Sequence, residues 1–215
     1  VYTAGTVFIG IFCSLILAII MNKKFKLRGL FRSFYFFPVV VSMTAVALTW
    51  QYMFDPHNGI INYLLTEVGL QPLNWLGDKR LAMITIIFVS IWKGMGWNML
   101  IFLGGLQAIP TIFYEAAEVD GANRWHCFIN ITLPLIKPIF LFVLITSIIS
   151  AFKVFDIVYV MTEGGPMYAT TTIVQYVYRA AFQFFEMGYA SAVAYILFLI
   201  VLIITWIQLR YFKAI

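Results

Sequence analysis

Residues 115–122 have the sequence EAAEVDGA and lie between two long apolar stretches. Glu115 and Glu118 favour the first turns of a short helix, because exposed backbone N–H groups and the helix dipole attract negative charge there. Gly121 follows Asp120 directly, and glycine most easily adopts the left-handed conformation that ends a helix and reverses the chain. The segment therefore predicts a short polar helix that ends in a sharp turn.

Residues on both sides of this turn predict a helix-turn-helix unit. Ala116 and Ala117 have small side chains, which allow another surface to approach the first helix closely. Beyond the turn, Trp125 and Phe128 lie one helical turn apart and predict a second short amphipathic helix, after which Pro134 opens the next apolar stretch. Good helix formers with a glycine cap would also suit an ordinary interfacial loop, so the position of the unit between membrane spans decides its interpretation.

The composition indicates a polytopic membrane protein. Hydrophobic residues make up 63% of the chain and charged residues only 11%. A helical span needs roughly 20 apolar residues, and an open sheet would leave backbone groups without partners in lipid. The predicted fold class is therefore all-α, with about five transmembrane helices, near residues 3–21, 33–54, 81–106, 135–155 and 188–209.

Basic residues predict the orientation of the spans. Five of them crowd the first connection and place it in the cytoplasm by the positive-inside rule: Lys23, Lys24, Lys26, Arg28 and Arg32. Alternation of the spans then places residues 107–134 inside and residues 54–80 and 156–187 outside. The first residue is consequently outside, with no methionine or signal before it, so we expect at least one further span ahead of this sequence and six or more in the full chain.

The two outer connections contain predicted secondary structure. Residues 59–70 have apolar side chains at a spacing that suits a helix lying along the membrane surface. The run Gly164-Gly165-Pro166 predicts a turn, and residues 171–185 predict a short helix leading into the last span. Both connections could dock a protein, although aromatic residues near membrane boundaries more often anchor a helix at the interface.

The third span carries polar and small residues on one face, as a water-accessible path would require. Ser90, Gly94 and Asn98 recur at helical spacing, and Gly105 continues the same face. Lys93 lies beside this face. A charge within a membrane costs several kcal/mol unless it is paired or hydrated, so Lys93 should face protein or water.

The fourth span carries a second polar set. Ser147 and Ser150 precede Lys153 and Asp156, which are three residues apart and could pair on a helix. Close packing of helices is the alternative explanation for each serine and glycine on these spans. The candidates for a translocation path are Ser90, Lys93, Gly94, Asn98, Ser147 and Ser150.

Several motifs together resemble the permease subunits of ABC-type importers. Residues 115–134, from EAAEVDGA to the closing ITLP, resemble the EAA loop at which such permeases meet an ATPase. Similarity to binding-protein-dependent carbohydrate permeases of the maltose, glycerol-3-phosphate and multiple-sugar type extends over nearly the whole chain. It includes FR at 31–32, WK at 92–93, LQAIP at 106–110, FD at 155–156 and GGP at 164–166.

This resemblance implies a type I importer permease fold, with residues 1–215 as one transmembrane domain and residues 107–134 as its cytoplasmic coupling loop. The residues implied to meet the ATPase are Glu115, Ala116, Ala117, Asp120 and Gly121. The implied partners are two copies of an ABC ATPase, a second permease subunit expected to be a different chain, an extracytoplasmic solute-binding protein and membrane lipid. The protein would lie in a bacterial or archaeal cell membrane and carry a sugar or related polyol.

Nothing in the sequence indicates a site for a nucleotide, a cofactor or a metal. A phosphate-binding P-loop of the form GxxxxGK[ST] is missing, so ATP hydrolysis is expected in separate subunits and this chain is not expected to be an enzyme. Cys13 and Cys127 are far apart, and no cluster of cysteines and histidines has the spacing of metal ligands. The net charge of +5 comes mostly from the first connection and does not indicate nucleic acid binding.

Two other classes of protein remain as alternatives. A membrane enzyme would need a catalytic group, but His57 and His126 are predicted on opposite sides of the membrane. An ion-coupled secondary transporter or channel would be expected to show repeated halves or intramembrane carboxylates, and neither is clear in this sequence. Transport without ATPase subunits would favour that second alternative.

Overall fold

The computed structural model describes residues 1–23 and 25–213, and these residues form helices and connecting turns without a strand. Lys24, one of the basic residues used to predict the orientation, lies outside the described residues. The first helices are α1 (Tyr2–Asn22), α2 (Arg28–Val40), α3 (Met43–Met53), α4 (Ile60–Glu67), α5 (Leu81–Gln107) and α6 (Ile112–Val119). Then follow α7 (Arg124–Cys127), a π-turn (Phe128–Thr132), α8 (Leu133–Phe152), α9 (Asp156–Thr162), α10 (Ile173–Tyr178), a second π-turn (Arg179–Gln183) and α11 (Met187–Lys213).

The spans confirm the predicted all-α membrane fold. Among the described residues, four helical segments are long and apolar enough to cross a membrane: α1, α5, the continuous helix Arg124–Phe152 and Met187–Tyr211 of α11. The pair α2 and α3 makes a fifth span if it is counted as one, but the two helices are bent by 97°. The prediction of a single uninterrupted span over residues 33–54 was therefore wrong.

The break between α2 and α3 has a local cause. Pro38 lies in the last turn of α2 and has no backbone N–H to continue the helical ladder. Val41 is extended, with ψ 143°, and the Ser42 hydroxyl accepts a hydrogen bond from the Ala45 N–H at 3.2 Å. A serine N-cap of this kind starts a new helix in a new direction.

The EAA segment forms the predicted helix and turn, with one correction. Helix α6 begins at Ile112, so Glu115 lies in its first turn as predicted, whereas Glu118 lies in its last turn, where the helix dipole does not favour a negative charge. Gly121 has φ +75°, which confirms the left-handed reversal. The Ala122 N–H donates to the Ala117 carbonyl at 2.9 Å and the Gly121 N–H to the Glu118 carbonyl at 3.1 Å, the pair of bonds that defines a Schellman cap.

The second helix of this unit is longer than predicted. Helix α7, the first π-turn and α8 form one continuous helix of 29 residues, Arg124–Phe152. Pro134 therefore lies inside this helix and does not open a separate one. Because Pro134 has no N–H to donate, the regular ladder is interrupted there, and the π-turn lies immediately before this point.

The outer connections confirm three predicted elements, two helices and a turn, and the end of α8 contradicts a fourth prediction. Helix α4 lies within the predicted surface helix at 59–70, and α10 with its π-turn lies within 171–185. The predicted helical pairing of Lys153 with Asp156 was wrong, because α8 ends at Phe152 and α9 begins at Asp156. Gly164 has φ +87°, as the predicted turn requires.

Helix α5 lies at the centre of the bundle. Its buried side chains, among them Ile86, Met99 and Phe102, belong to one apolar core with buried residues of α1, α8 and α9. At Gly96 a Cβ atom would overlap the Tyr35 carbonyl oxygen, so only glycine permits the close contact between α5 and α2. Helix α11 is mostly exposed.

Candidate functional site

An open cavity of about 370 Å³ lies where α1, α5 and α8 meet, next to the break between α2 and α3. All the translocation-path candidates line it: Ser90, Lys93, Gly94, Asn98, Ser147 and Ser150. Gly105, which continues the polar face of α5 in the sequence, does not line the cavity. A Cβ there would lie 2.8 Å from Cγ1 of Ile139, so Gly105 serves the packing of α5 against α8.

One hydrogen bond joins the two polar faces that were identified separately in the sequence. The Asn98 Nδ2 donates to the Ser147 Oγ at 3.2 Å, linking α5 to α8 across the cavity wall. Both side chains are half-buried. Together with Ser150 and Thr146, which also line the cavity, they supply donors and acceptors without a carboxylate among the lining residues.

The ammonium group of Lys93 is hydrogen-bonded to the protein backbone. Its Nζ donates to the backbone carbonyls of Pro38 at 3.2 Å, Val39 at 3.3 Å and Val41 at 2.9 Å. These carbonyls belong to the C-terminal end of α2 and the break after it, where a helix lacks internal donors and carries partial negative charge. An ammonium group has three N–H donors, so the backbone uses all of them. Lys93 thus lines the cavity and at the same time holds the end of α2.

Sequence reasoning missed the contribution of α1 to the cavity. Tyr2, Thr6 and Gly10 line it, and the Tyr2 hydroxyl donates to the Ser90 Oγ at 3.0 Å. These residues recur at intervals of four along one face of α1, and that stripe was the available signal. Deeper in the same helix, the buried Ser14 donates to the Met95 carbonyl of α5 at 3.1 Å.

A second cavity, of about 720 Å³, adjoins the first at one end of the bundle. Tyr2 and Ala151 line both cavities. Lys79 and Arg80 line only the second one, near the start of α5. The two cavities therefore lie side by side, with Tyr2 and Ala151 between them.

The residues of the predicted coupling segment lie at the other end. Glu115, Ala116, Asp120 and Gly121 are exposed, and Ala117 is half-buried. Helix α6 has no fully buried residue. Its exposed apolar side chains include Ile112, at 66% exposure, and Val119, at 89%. Apolar side chains exposed beside small ones form a surface that another protein can cover.

This end of the bundle also contains the basic first connection. Asn22 and Lys23 at the end of α1, Tyr114 of α6 and Arg124 of α7 line one cavity of about 480 Å³. The basic residues that predicted the cytoplasmic side and the helix predicted to lie there are thus at the same end of the molecule, as the predicted orientation requires.

With this geometry in place, comparison with known proteins identifies the family. The sequence matches the family described as binding-protein-dependent transport system inner membrane component over residues 10–214. The chain belongs to this family. It is a permease subunit of an ABC importer and a multi-pass protein of the bacterial or archaeal cell membrane.

Relatives of this permease carry sugar-transport names. The trehalose/maltose transport system permease protein MalF of Thermococcus litoralis is 39% identical over 90% of this chain and 65% of its own length. The lactose transport system permease protein LacF of Rhizobium radiobacter is 38% identical, over 91% and 67%. A probable ABC transporter permease protein of Bacillus subtilis, YurN, is 37% identical, over 99% and 74%. This chain therefore spans about two thirds to three quarters of the length of these relatives.

Solved structures share the fold of the permease. The crystal structure of a bacterial ABC transporter involved in the import of the acidic polysaccharide alginate matches with a TM-score of 0.91, covering 100% of this chain and 76% of that chain at 24% identity. A structure of the bacterial alginate ABC transporter in complex with an alginate pentasaccharide-bound periplasmic protein matches with a TM-score of 0.88, covering 96% and 73% at 24% identity. The predicted importer permease fold is thereby confirmed, and the family assignment favours it over an ion-coupled transporter.

Proposed function

We propose that this permease forms part of the path of a sugar or related polyol and is driven by ATPase subunits that grip α6. The observation that carries the proposal is the single cavity into which two polar faces, from α5 and α8, bring their hydroxyl and amide groups. The sugar-transport names of several relatives support the choice of substrate class.

The lining of the cavity suits a neutral ligand rich in hydroxyl groups. Ser90, Ser150 and Thr146 offer hydrogen-bonding groups, and Trp97 lines the same cavity with 54% of its surface exposed. An aromatic ring packs well against the apolar face of a sugar ring while hydroxyl groups bind at its edge. The charge of Lys93 is directed to the backbone of α2, so it does not act as a fixed charge for ligand binding.

The mechanism would be alternating access driven through α6. When ATP brings two ATPase subunits together, they would move α6 and tilt the spans on either side of it, a rigid-body switch between two packed states. Glu115 and Asp120 would make polar contacts with the ATPase, Ala116 and Ala117 would allow close approach, and Gly121 would preserve the reversal. The cavity would then open to one side of the membrane and afterwards to the other.

The assembly we propose contains two ATPase copies, a second and different permease chain, and an extracytoplasmic solute-binding protein. ATP hydrolysis would take place in the ATPase subunits and not in this chain. Residues 1–215 would act as one transmembrane domain, with residues 107–134 as its cytoplasmic coupling loop. The exposed surface of α11 is available to lipid or to the second permease.

Mass spectrometry of the intact complex after mild solubilisation tests this proposal. We expect the ATPase and the second permease to co-purify, and we expect sugar uptake into proteoliposomes only when ATP and the binding protein are supplied. Uptake by the permease without any ATPase would instead favour an ion-coupled transporter or a channel. A crosslinker at α6 that never captures an ATPase in working cells would contradict the coupling role.

A further inference from the structure

A side-chain hydrogen bond links helix α6 to the membrane-spanning part of the protein. The Tyr114 hydroxyl is hydrogen-bonded to the Thr132 Oγ1 at 2.9 Å. This side-chain hydrogen bond joins α6 to the long helix Arg124–Phe152. Tyr114 is half-buried and packs against the main apolar core, whereas the other residues of α6, apart from the half-buried Ala117, are exposed.

The partner of Tyr114 lies at a special point of the long helix. Thr132 is buried, and it is the last residue of the π-turn Phe128–Thr132. Its Oγ1 also lies 3.4 Å from the Cys127 carbonyl, one turn earlier. A π-turn carries an extra residue in its backbone ring, and such turns often mark functional sites and changes of direction in helices. The link from α6 therefore reaches the long helix where its regular ladder is interrupted.

From this point the helix leads directly to the cavity. Ser147 lies 15 residues after Thr132 in the continuous helix, and at the rise of an α-helix this is a distance of about 22 Å. Because Thr132 and Ser147 belong to one continuous helix, which runs through Pro134 and Pro138, a displacement at Thr132 would be passed along this helix to Ser147 and its bond to Asn98. Without this hydrogen bond, α6 would be held to this helix by the turn at 120–123 and by apolar packing of the Tyr114 ring.

We infer that Tyr114 is a positioning residue that transmits motion of α6 to α8 through Thr132. This inference rests on the proposed coupling role of α6. Tyr114 does not bind the ATPase in this mechanism; it holds α6 to the base of the span, so that α6 and α8 move together. The hydroxyl is the essential group, and the aromatic ring maintains the packing.

The test compares Tyr114→Phe, Thr132→Val and the double variant in the complete importer, with the binding protein present. The readouts are sugar taken up per ATP hydrolysed and the amount of ATPase that co-purifies. We expect each single variant to retain its ATPase and to transport roughly fivefold less per ATP, the factor that corresponds to one typical hydrogen bond. The double variant should be no worse than either single one, because both changes remove the same bond.

Two matched variants serve as controls. Thr132→Ser keeps a hydroxyl group and should restore transport per ATP to near the unmodified value. Tyr52→Phe removes a hydroxyl from a side chain of α3 that is 70% exposed and should change nothing.

Each possible result decides between the alternatives. Normal transport per ATP in Tyr114→Phe, or a double variant whose loss is the product of the two single losses, would overturn the inference. If the ATPase no longer co-purifies with Tyr114→Phe, the inference would also be overturned, because Tyr114 would then contribute to ATPase binding. Failure of the unmodified permease to hold an ATPase would refute the proposed function as well, and the co-purification readout reports that outcome separately.

Discussion

Replacing Lys93 by methionine should release the end of α2 from α5. Methionine has a similar length and shape, so the change removes the ammonium group and little else. The three carbonyls of Pro38, Val39 and Val41 lose a charged donor at 2.9 to 3.3 Å. A hydrogen bond to a charged group contributes about 1.5–3 kcal/mol. One ammonium group makes all three bonds, and water from the cavity can reach the carbonyls once they are freed. We therefore expect the free energy of unfolding to fall by about 2–4 kcal/mol in total.

The free energy of unfolding, measured by denaturant titration of the purified permease in detergent, gives the magnitude. Labelling of a cysteine placed at Met43, a cavity-lining residue just after the break, reports whether the wall has moved. Lys79→Met is the matched control, because Lys79 is exposed at the start of α5 and should tolerate the change. If Lys93→Met unfolds with the same free energy and labels at the same rate as the unmodified protein, Lys93 does not hold α2 in the way described here.

Three further substitutions test other contacts. Gly96→Ala should lower the free energy of unfolding by about 1–3 kcal/mol in the same titration, because the new Cβ meets the Tyr35 carbonyl. Gly94→Ala is the control and should not lower it, because a Cβ there meets nothing within 4 Å. Equal stabilities of the two variants would contradict this contact. Gly121→Val should lower sugar uptake per ATP, because a β-branched residue is strained at φ +75°. Gly121→Asn should preserve uptake per ATP. Unaltered uptake per ATP in the valine variant would show that Gly121 has no part in the coupling. Asn98→Leu should raise the apparent KM for the sugar roughly fivefold through loss of the bond to Ser147, and an unchanged KM in uptake assays would place this pair outside the path.

Local chemistry explains why several features were predictable. The length and apolarity of residues 81–106 were enough to predict α5, and the glycine at 121 was enough to predict a left-handed reversal. The polar faces of the third and fourth spans were also visible as helical periodicity. Each of these features depends on residues that lie within a few helical turns of one another, so the sequence alone was enough to predict it.

Other features depended on residues that are distant in the sequence. Lys93 bonds to carbonyls more than 50 positions earlier, and these became available only because α2 ends at Val40. The partner of Tyr114 lies 18 positions away, beyond a turn. Glu118 was not placed in the last turn of α6 because the helix already starts at Ile112, directly after Thr111, whose side chain makes no cap hydrogen bond.

The sequence by itself determined that this protein is a helical membrane protein with a polar helix and turn between two of its spans, because apolar length, basic residues and glycine conformation act locally. Only the tertiary structure decided that the polar stripe of α1 faces the cavity and that Lys93 is occupied by backbone carbonyls. These outcomes depend on how closely the helices pack. That distance is set by side chains that lie far apart in the sequence, so no local pattern reveals it.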